Sequence, residues 1–360
     1  MLYYSIALLF IVLSGKDLNN KYKRSRFIII VIVVFLSVFA GIRDHVGYDF
    51  GSYEIMFLRS PGITAPFSIQ ARYLFSSRIE PGYLILNSFV KSVTTNFMWQ
   101  LLISSLIICS LIIFRLREYT PFVFLGILLY FTGSYLGMNF GLLRQGIASS
   151  LFFFSIKYVH EKHPAKYYLL NLIACLFHYS AVVLLPFYFI LNRRHSMITR
   201  FVLISISLIL SFFDWATILL ANAIPLFKDY YVNTLILQTQ REAISLVSVG
   251  TVLKVVIFGL ALIMRSKLQS KFPYYNIMLN MYTYYLVFFL MFRQNFVFGA
   301  RVPIYFSTSA MVLATYFQSY EDYYPVRAFL FLMVVVYSLL ILNSTLSAGV
   351  YIPYISILGK

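Results

Sequence analysis

The feature that most constrains this chain is a series of long runs without any charged residue. One run, FIIIVIVVFLSVFA at 27–40, contains a single polar side chain. Hydrophobic residues make up 61% of the chain and charged residues 11%, far too apolar a balance for one soluble core. A helix that crosses a bilayer needs about 20 mostly apolar residues. The pattern therefore predicts an all-α integral membrane protein.

Twelve apolar segments can be read along the chain, at 2–14, 27–41, 97–114, 121–137, 145–159, 165–177, 179–191, 199–213, 246–264, 274–292, 302–318 and 326–343. We therefore expect a polytopic bundle of about 12 transmembrane helices, with residues 1–360 forming a single membrane domain. Several segments are short for a perpendicular span, so tilted or partial helices are part of the expectation.

Basic residues concentrate in five short loops, at Lys16–Arg26, Arg115–Glu118, Lys157–Lys166, Arg193–Arg200 and Arg265–Lys271. Positively charged loops stay on the cytoplasmic side of a membrane. The five loops agree with one another if residues 165–191 form a tight hairpin with His178 at its outer tip. These loops and anionic lipid headgroups account for the net charge of +17, so no nucleic-acid partner is predicted.

External loops are then expected at about 42–80 and 214–245. The first should lead into a re-entrant or interfacial helix, PGYLILNSFVKSV, that Pro81 opens. The second belongs to a long, partly amphipathic segment, 212–245, which we interpret as a lid over an external site.

Three arginines on the predicted external face have unusual surroundings. Arg144 lies among glycines and small residues in YLGMNFGLLRQGIASS, at membrane depth, where an ionisable residue is a functional candidate. Arg301 lies near Pro303 at the outer start of a span, where a helix N-terminus favours an anion. Arg43 ends the second span at the same face. If the three converge they form a cationic pocket; the alternative is salt bridging to external acids or contact with headgroups.

A series of short motifs then gives the chain a resemblance from about residue 40 to its end. The motifs are GIRDHVGYDFGSY at 41–53, IEPGYLILNSFV at 79–90, NFGLLRQGIASSLFFFS at 139–155, ACLFHYSAVVLLP at 174–186, FVFGARVPIYF at 296–306 and YIPY at 351–354. Their order resembles the EpsG family of polysaccharide polymerases, which is close to the Wzy-type polymerases. In the first motif, Tyr48 and Phe50 stand where that family has Thr and Tyr.

The resemblance implies a glycosyltransferase of the bacterial inner membrane whose active site faces the periplasm. It would join undecaprenyl-diphosphate-linked oligosaccharides into O-antigen or capsular polysaccharide, with a chain-length regulator protein as a candidate partner. The donor already carries a good leaving group, so the enzyme needs cations for the departing diphosphate and a base for the acceptor hydroxyl. Arg43, Arg144 and Arg301 are the candidates for the diphosphate.

The candidates for the base are Asp49, Glu80 and His178, and the sequence does not choose among them. Each has a structural alternative: Asp49 could pair with an arginine, Glu80 could cap the helix that follows it, and His178 could tie the hairpin together. Aromatic faces stack on sugar rings, so Tyr48, Tyr53 and Tyr83 are glycan-binding candidates, although tyrosine is also common at membrane interfaces. Gln145, next to Arg144, is the fourth glycan-binding candidate.

No cofactor is predicted, and we expect the activity to be independent of metal ions. The sequence has no phosphate-binding G-x-x-x-x-G-K-[ST] loop and no D-x-D pair. His160 and His163 have the spacing of a metal pair but lie in a basic loop without a third ligand.

Two other functions remain open. A flippase for the same lipid-linked oligosaccharide would also need many spans and buried cations, but should carry charges along a central path and show internal repeats. An O-antigen ligase would use the same donor with a different acceptor. The unusual charges cluster at one predicted face and no repeat is visible, which argues against the flippase. The ordered motifs favour the polymerase over the ligase.

Overall fold

The computed structural model describes residues 1–18, 26–77, 79–215 and 245–359. Within these ranges the regular secondary structure is helical, apart from an isolated antiparallel bridge between Arg43 and Ser356. The prediction of an all-α protein built from apolar helices is confirmed.

By length and composition, two helices in these ranges could each cross a membrane, Phe97–Tyr119 and Tyr324–Leu346. A third candidate span arises if Val249–Ile263 and Arg265–Lys271, which meet at an angle of 74°, are counted together. The other apolar helices are shorter, so the number of about 12 transmembrane helices stays a prediction.

The chain forms two compact units. The first comprises Met1–Tyr188 and Glu321–Lys360. Its helices are α1 (Leu2–Leu18), α2 (Arg26–Gly41), α3 (Phe50–Arg59), α4 (Phe67–Ser77), α5 (Pro81–Val93), α6 (Phe97–Tyr119), α7 (Val123–Tyr130), α8 (Leu143–His160), α9 (Pro164–Phe177) and the late α17 (Tyr324–Leu346). A 3₁₀ helix, Tyr179–Leu184, follows α9.

The second unit comprises Phe189–Tyr320. Helix α10 (Phe187–Leu191) begins just before it, and its own helices are α11 (Met197–Leu210), α12 (Val249–Ile263), α13 (Arg265–Lys271), α14 (Tyr275–Met291), α15 (Phe296–Arg301) and α16 (Ile304–Tyr316). The buried Arg200 of α11 donates to Asn280 Oδ1 at 2.7 Å, and Asn280 in turn donates to the carbonyls of Leu191 and Arg193. These bonds join α11 to α14.

Every predicted apolar segment overlaps a helix, but three regions differ in detail. Helix α7 continues as π-helical turns, Phe131–Tyr135 and Gly137–Gly141. The second arm of the predicted hairpin is the 3₁₀ helix followed by α10. The predicted external loop 42–80 is not irregular, since it contains α3 and α4. Both helices mix polar and apolar residues, so they produce no continuous apolar run.

Helices α6 and α8 run side by side in the same direction. Near their ends, Tyr119 donates a 2.8 Å hydrogen bond to the Phe153 carbonyl, and the Arg115 guanidinium lies 3.6 Å from the centre of the Phe154 ring. Helix α9 then returns along α8, where Asn171 donates to Ser155 Oγ at 3.0 Å. Consequently the start of α8 and the end of α9 lie at the same end of the unit.

The predicted hairpin turn at His178 is confirmed. His178 has extended backbone geometry directly after α9, and Tyr167, near the start of α9, donates a 2.7 Å hydrogen bond to the Leu184 carbonyl at the end of the 3₁₀ helix. The two arms therefore pack against each other.

Candidate active site

A buried carboxylate, Glu80, joins two of the predicted functional residues. Its Oε2 accepts a hydrogen bond from Arg144 Nη1, and its Oε1 lies 3.3 Å from His178 Nδ1. Glu80 is only 3% exposed. Three groups that the sequence offered separately thus form one charged cluster, which we call the Glu80 cluster: Glu80, Arg144 and His178.

Three different helix ends bring the cluster together. Glu80 precedes Pro81, the first residue of α5; Arg144 is in the first turn of α8; and His178 directly follows α9. Gly82 permits the contact between α5 and α9, because a Cβ on Gly82 would lie 2.8 Å from the Leu176 carbonyl oxygen. A larger residue at position 82 would force the two helix ends apart.

Capping does not explain Glu80. The residue occupies the N-cap position of α5, yet its side chain makes no capping hydrogen bond. Its oxygens instead face Arg144 and His178. The alternative that Glu80 simply caps the helix is therefore wrong.

The surroundings of Glu80 keep it ionised. Burial raises the pKa of the carboxyl, but contact with His178 and the positive charge of Arg144 lower it by more, so the pKa of Glu80 lies below its usual value. Glu80 is consequently a carboxylate at neutral pH and a weak proton acceptor.

Arg144 retains an accessible part. Its side chain is 24% exposed, while its guanidinium interacts with the Tyr53 hydroxyl and lies 6.0 Å from the centre of the Tyr53 ring. The acid that pairs with Arg144 is Glu80. Arg144 is positively charged, fixed at two points and open on one side, which suits it to bind an anion.

The four predicted glycan-binding residues have different environments. Tyr48 is 55% exposed, whereas Tyr53, Tyr83 and Gln145 are buried. Tyr53 and Tyr83 pack edge to face with their ring centres 5.7 Å apart, in an apolar cluster whose Tyr53 ring contacts Arg144. Tyr53 and Tyr83 therefore support the Glu80 cluster by packing. Tyr48, in contrast, has an exposed ring surface that a sugar can reach.

Arg43 is held by its own segment. It is 1% exposed, donates to the carbonyls of Val46 and Ala40 at 3.1 and 2.5 Å, and lies 4.7 Å from the centre of the Phe140 ring. These contacts give Arg43 a structural role in the fold, independent of any part in binding diphosphate.

The first and last motifs of the sequence lie together. Asp44 and Gly47 donate backbone hydrogen bonds to the carbonyls of Ile355 and Val350, at 2.9 and 3.0 Å. The Tyr354 ring stacks on Phe39 with centres 4.5 Å apart. The C-terminal segment 350–357 therefore fixes the loop that carries Arg43 and Asp49.

The other candidates make no printed contact with the Glu80 cluster, although the charge of Asp49 acts on Tyr53, which contacts Arg144. Asp49 is partly buried directly before α3, without a capping hydrogen bond from its side chain. Arg301 ends α15 in the second unit. Most of the predicted lid, 212–245, lies outside the described residues. In the part of the chain that the structure describes, no three His, Cys, Asp or Glu side chains are grouped to hold a metal ion.

From the sequence, Glu80 and His178 are alternative candidates for the base, and nothing in it predicts their contact. They are 98 residues apart in the chain, and no local pattern joins them. The one available signal was Gly82, a glycine in the second position of a helix, where a close approach of another backbone is a common reason for it.

Comparison with known proteins supports the motif resemblance. The EpsG family profile matches residues 25–356, nearly the whole chain. No curated protein matches the chain, and no solved structure does. The matched range includes all three residues of the Glu80 cluster. The chain belongs to the EpsG family, which includes polysaccharide polymerases of the Wzy type.

Proposed function

We propose that this protein is a glycosyltransferase that polymerises undecaprenyl-diphosphate-linked oligosaccharides on the periplasmic face of the bacterial inner membrane. Membership of the EpsG family indicates a polymerase-type function. The observation that supports a diphosphate-linked donor is the Glu80 cluster. In this cluster Arg144 is charged, is held by Glu80 and is partly exposed.

The position of the cluster supports the periplasmic face. Helix α8 has 18 residues, about 27 Å at 1.5 Å per residue, with Arg144 in its first turn. At the opposite end, Glu118 lies 2.7 Å from Arg115 and 3.0 Å from Lys157, beside two of the basic loops. If the basic loops are cytoplasmic, the Glu80 cluster faces the periplasm.

The chemistry of the donor fits Arg144. When the glycosyl bond breaks, negative charge develops on the leaving diphosphate oxygen, and a guanidinium can hold it with two parallel hydrogen bonds. Partial burial strengthens that interaction, because the effective dielectric is lower than in water. The donor supplies its own leaving group, so the proposed reaction uses no cofactor.

Deletion of the gene in the native host, read as a gel ladder of lipopolysaccharide or capsule, tests the function. We expect long chains to disappear while the single repeat unit remains attached to its normal acceptor. Loss of the single unit as well would instead support the flippase or ligase. An unchanged ladder in a strain without a second polymerase gene would refute all three.

Complementation with matched arginine variants tests the site. Arg144→Lys keeps the charge but loses the planar fork, and should restore at most short chains. Arg115→Lys is the control, since Arg115 also pairs with an acid and packs on a ring, but at the opposite end of α8. Full chains from Arg144→Lys, at normal protein abundance, would remove Arg144 from the diphosphate site.

A further inference from the structure

We propose that Glu80 is a positioning residue: it orients His178 as the base for the acceptor hydroxyl while it anchors Arg144 for the leaving diphosphate. This inference rests on the proposed function and assigns the roles within its site. One carboxylate would then fix the distance between the group that accepts the proton and the group that stabilises the leaving charge.

The two carboxylate oxygens of Glu80 contact different residues. Oε2 is bound to Arg144, and Oε1 faces the Nδ1 atom of His178 at 3.3 Å. This contact is an ion-pair distance and not a hydrogen bond of normal geometry. In the proposed reacting geometry a proton on Nδ1 is directed at this carboxylate, which leaves the lone pair on Nε2, the tautomer that a base requires. The separation is long for a charge-assisted hydrogen bond, as is common for catalytic contacts before substrate binds.

Charge balance explains why the site needs an acid, Glu80, between Arg144 and His178. With His178 neutral, the positive charge of Arg144 and the negative charge of Glu80 cancel in a site from which water is largely excluded. When His178 accepts a proton it becomes a second cation next to Arg144. Without Glu80 the two cations would repel each other at low dielectric, and the base would be weakened at the moment of reaction.

The proposed step is balanced as follows. The acceptor hydroxyl oxygen forms a bond to the anomeric carbon of the donor sugar, and its proton passes to His178 Nε2. The bond from the anomeric carbon to the diphosphate oxygen breaks, and its electron pair stays on the diphosphate, which Arg144 binds. The products are the extended glycan, undecaprenyl diphosphate and protonated His178, which returns its proton to solvent or to the leaving diphosphate.

Glu80 itself is poorly suited to be the base. It is almost completely buried, both of its oxygens face cationic or proton-donating groups, and its negative charge is already stabilised. Transfer of a proton to Glu80 would also break its ion pair with Arg144 and leave that cation unbalanced.

The test uses the full-length protein in lipid nanodiscs. The substrate is the lipid-linked single repeat unit extracted from the deletion strain, and initial rates of dimer formation give kcat and KM. The variants are Glu80→Gln, Glu80→Asp, His178→Gln and the double variant Glu80→Gln/His178→Gln. Glu118→Gln is the matched control, because Glu118 also contacts an arginine and a second basic residue, at the other end of α6 and α8.

We expect Glu80→Gln and His178→Gln each to lower kcat by about 10²–10⁴-fold, the usual contribution of a general base, with KM nearly unchanged. The kcat of the double variant should be about equal to that of the less active single variant, because Glu80 acts on the acceptor through His178. Glu80→Asp should regain about tenfold over Glu80→Gln, because a charged acceptor keeps the stronger hydrogen bond. Glu118→Gln should leave both constants unchanged.

Two results would overturn the inference. Near-normal kcat in His178→Gln would show that His178 is not the base, and losses that multiply in the double variant would show that the residues act independently. If Glu80→Gln does not accumulate, His178→Gln still decides, because it leaves the Arg144–Glu80 pair intact. Absence of any polymer from the wild-type protein would instead refute the proposed function, so the two failures can be told apart.

Discussion

Substitution of Gly82 by alanine should misalign the Glu80 cluster without touching any of its members. An alanine Cβ would lie 2.8 Å from the Leu176 carbonyl oxygen, 3.0 Å from its carbonyl carbon and 3.1 Å from its Cβ. Comfortable contacts begin at about 3.4 Å, so α5 and the end of α9 must separate by roughly 0.5 Å. The obstacle is largely backbone, which cannot rotate away.

The size of the effect follows from that displacement. Overpacking of this kind costs about 1–3 kcal/mol of stability. A catalytic geometry has to be held within about 0.5 Å, and a misplacement of 1 Å can cost about 10²-fold in rate. The 3.3 Å separation between Glu80 and His178 is already long, so we expect Gly82→Ala to lower kcat by about 10-fold to 10²-fold and to lower the thermal midpoint.

Gly51→Ala is the matched control, because nothing lies within 4 Å of the corresponding Cβ. In helix α3 this change should be neutral or stabilising by up to about 1 kcal/mol. Both proteins would be compared in nanodiscs by their thermal midpoints and their rates of dimer formation. Wild-type kcat in Gly82→Ala would refute the argument that the α5–α9 contact sets the geometry of the site.

Three further predictions concern the rest of the first unit. Arg43→Lys should lower protein abundance and cost about 1–3 kcal/mol of stability, since its buried carbonyl partners lose their donors; normal abundance with lost activity would instead place Arg43 in the diphosphate site. With the native cysteines replaced, Thr64→Cys should react with an impermeant thiol reagent in intact spheroplasts, and His163→Cys only after permeabilisation. Because the folded-state pKa of Glu80 is lowered from its usual 4.5, its stabilising effect is complete above that value and lost as the pH falls through the folded-state pKa. The difference in thermal midpoint between wild type and Glu80→Gln should therefore shrink in acidic buffer, as Glu80 takes up a proton.

Most of the helices could be predicted from the sequence because apolar runs in a membrane protein are almost always helical. Arg144 could be selected for a similar reason, since a charge among small residues at membrane depth is costly unless it has a function. The turn at His178 followed from the basic loops, which are consistent only if the chain reverses between residues 165 and 191.

The contacts within the site could not be predicted in the same way. Glu80 reaches Arg144 and His178 across 64 and 98 residues of sequence, and only the packing of α5, α8 and α9 brings them together. Helices α3 and α4 were missed because their polar residues interrupt any apolar run. Tyr53 and Tyr83 were expected at the glycan because tyrosine suits both a sugar and a protein interior, and the sequence does not separate the two.

The orientation of the protein and its chemistry are linked through α8. Helix α8 carries Arg144 in its first turn and Lys157 near its end. In the proposed topology α8 crosses the bilayer, and the two residues then lie on opposite sides. In that topology, labelling of position 163 from outside would place the Glu80 cluster at the cytoplasmic face and remove the periplasmic reaction proposed for it. The same result would leave the contacts among Glu80, Arg144 and His178 intact. Topology therefore tests where the site acts, whereas the His178 and Glu80 variants test how it acts.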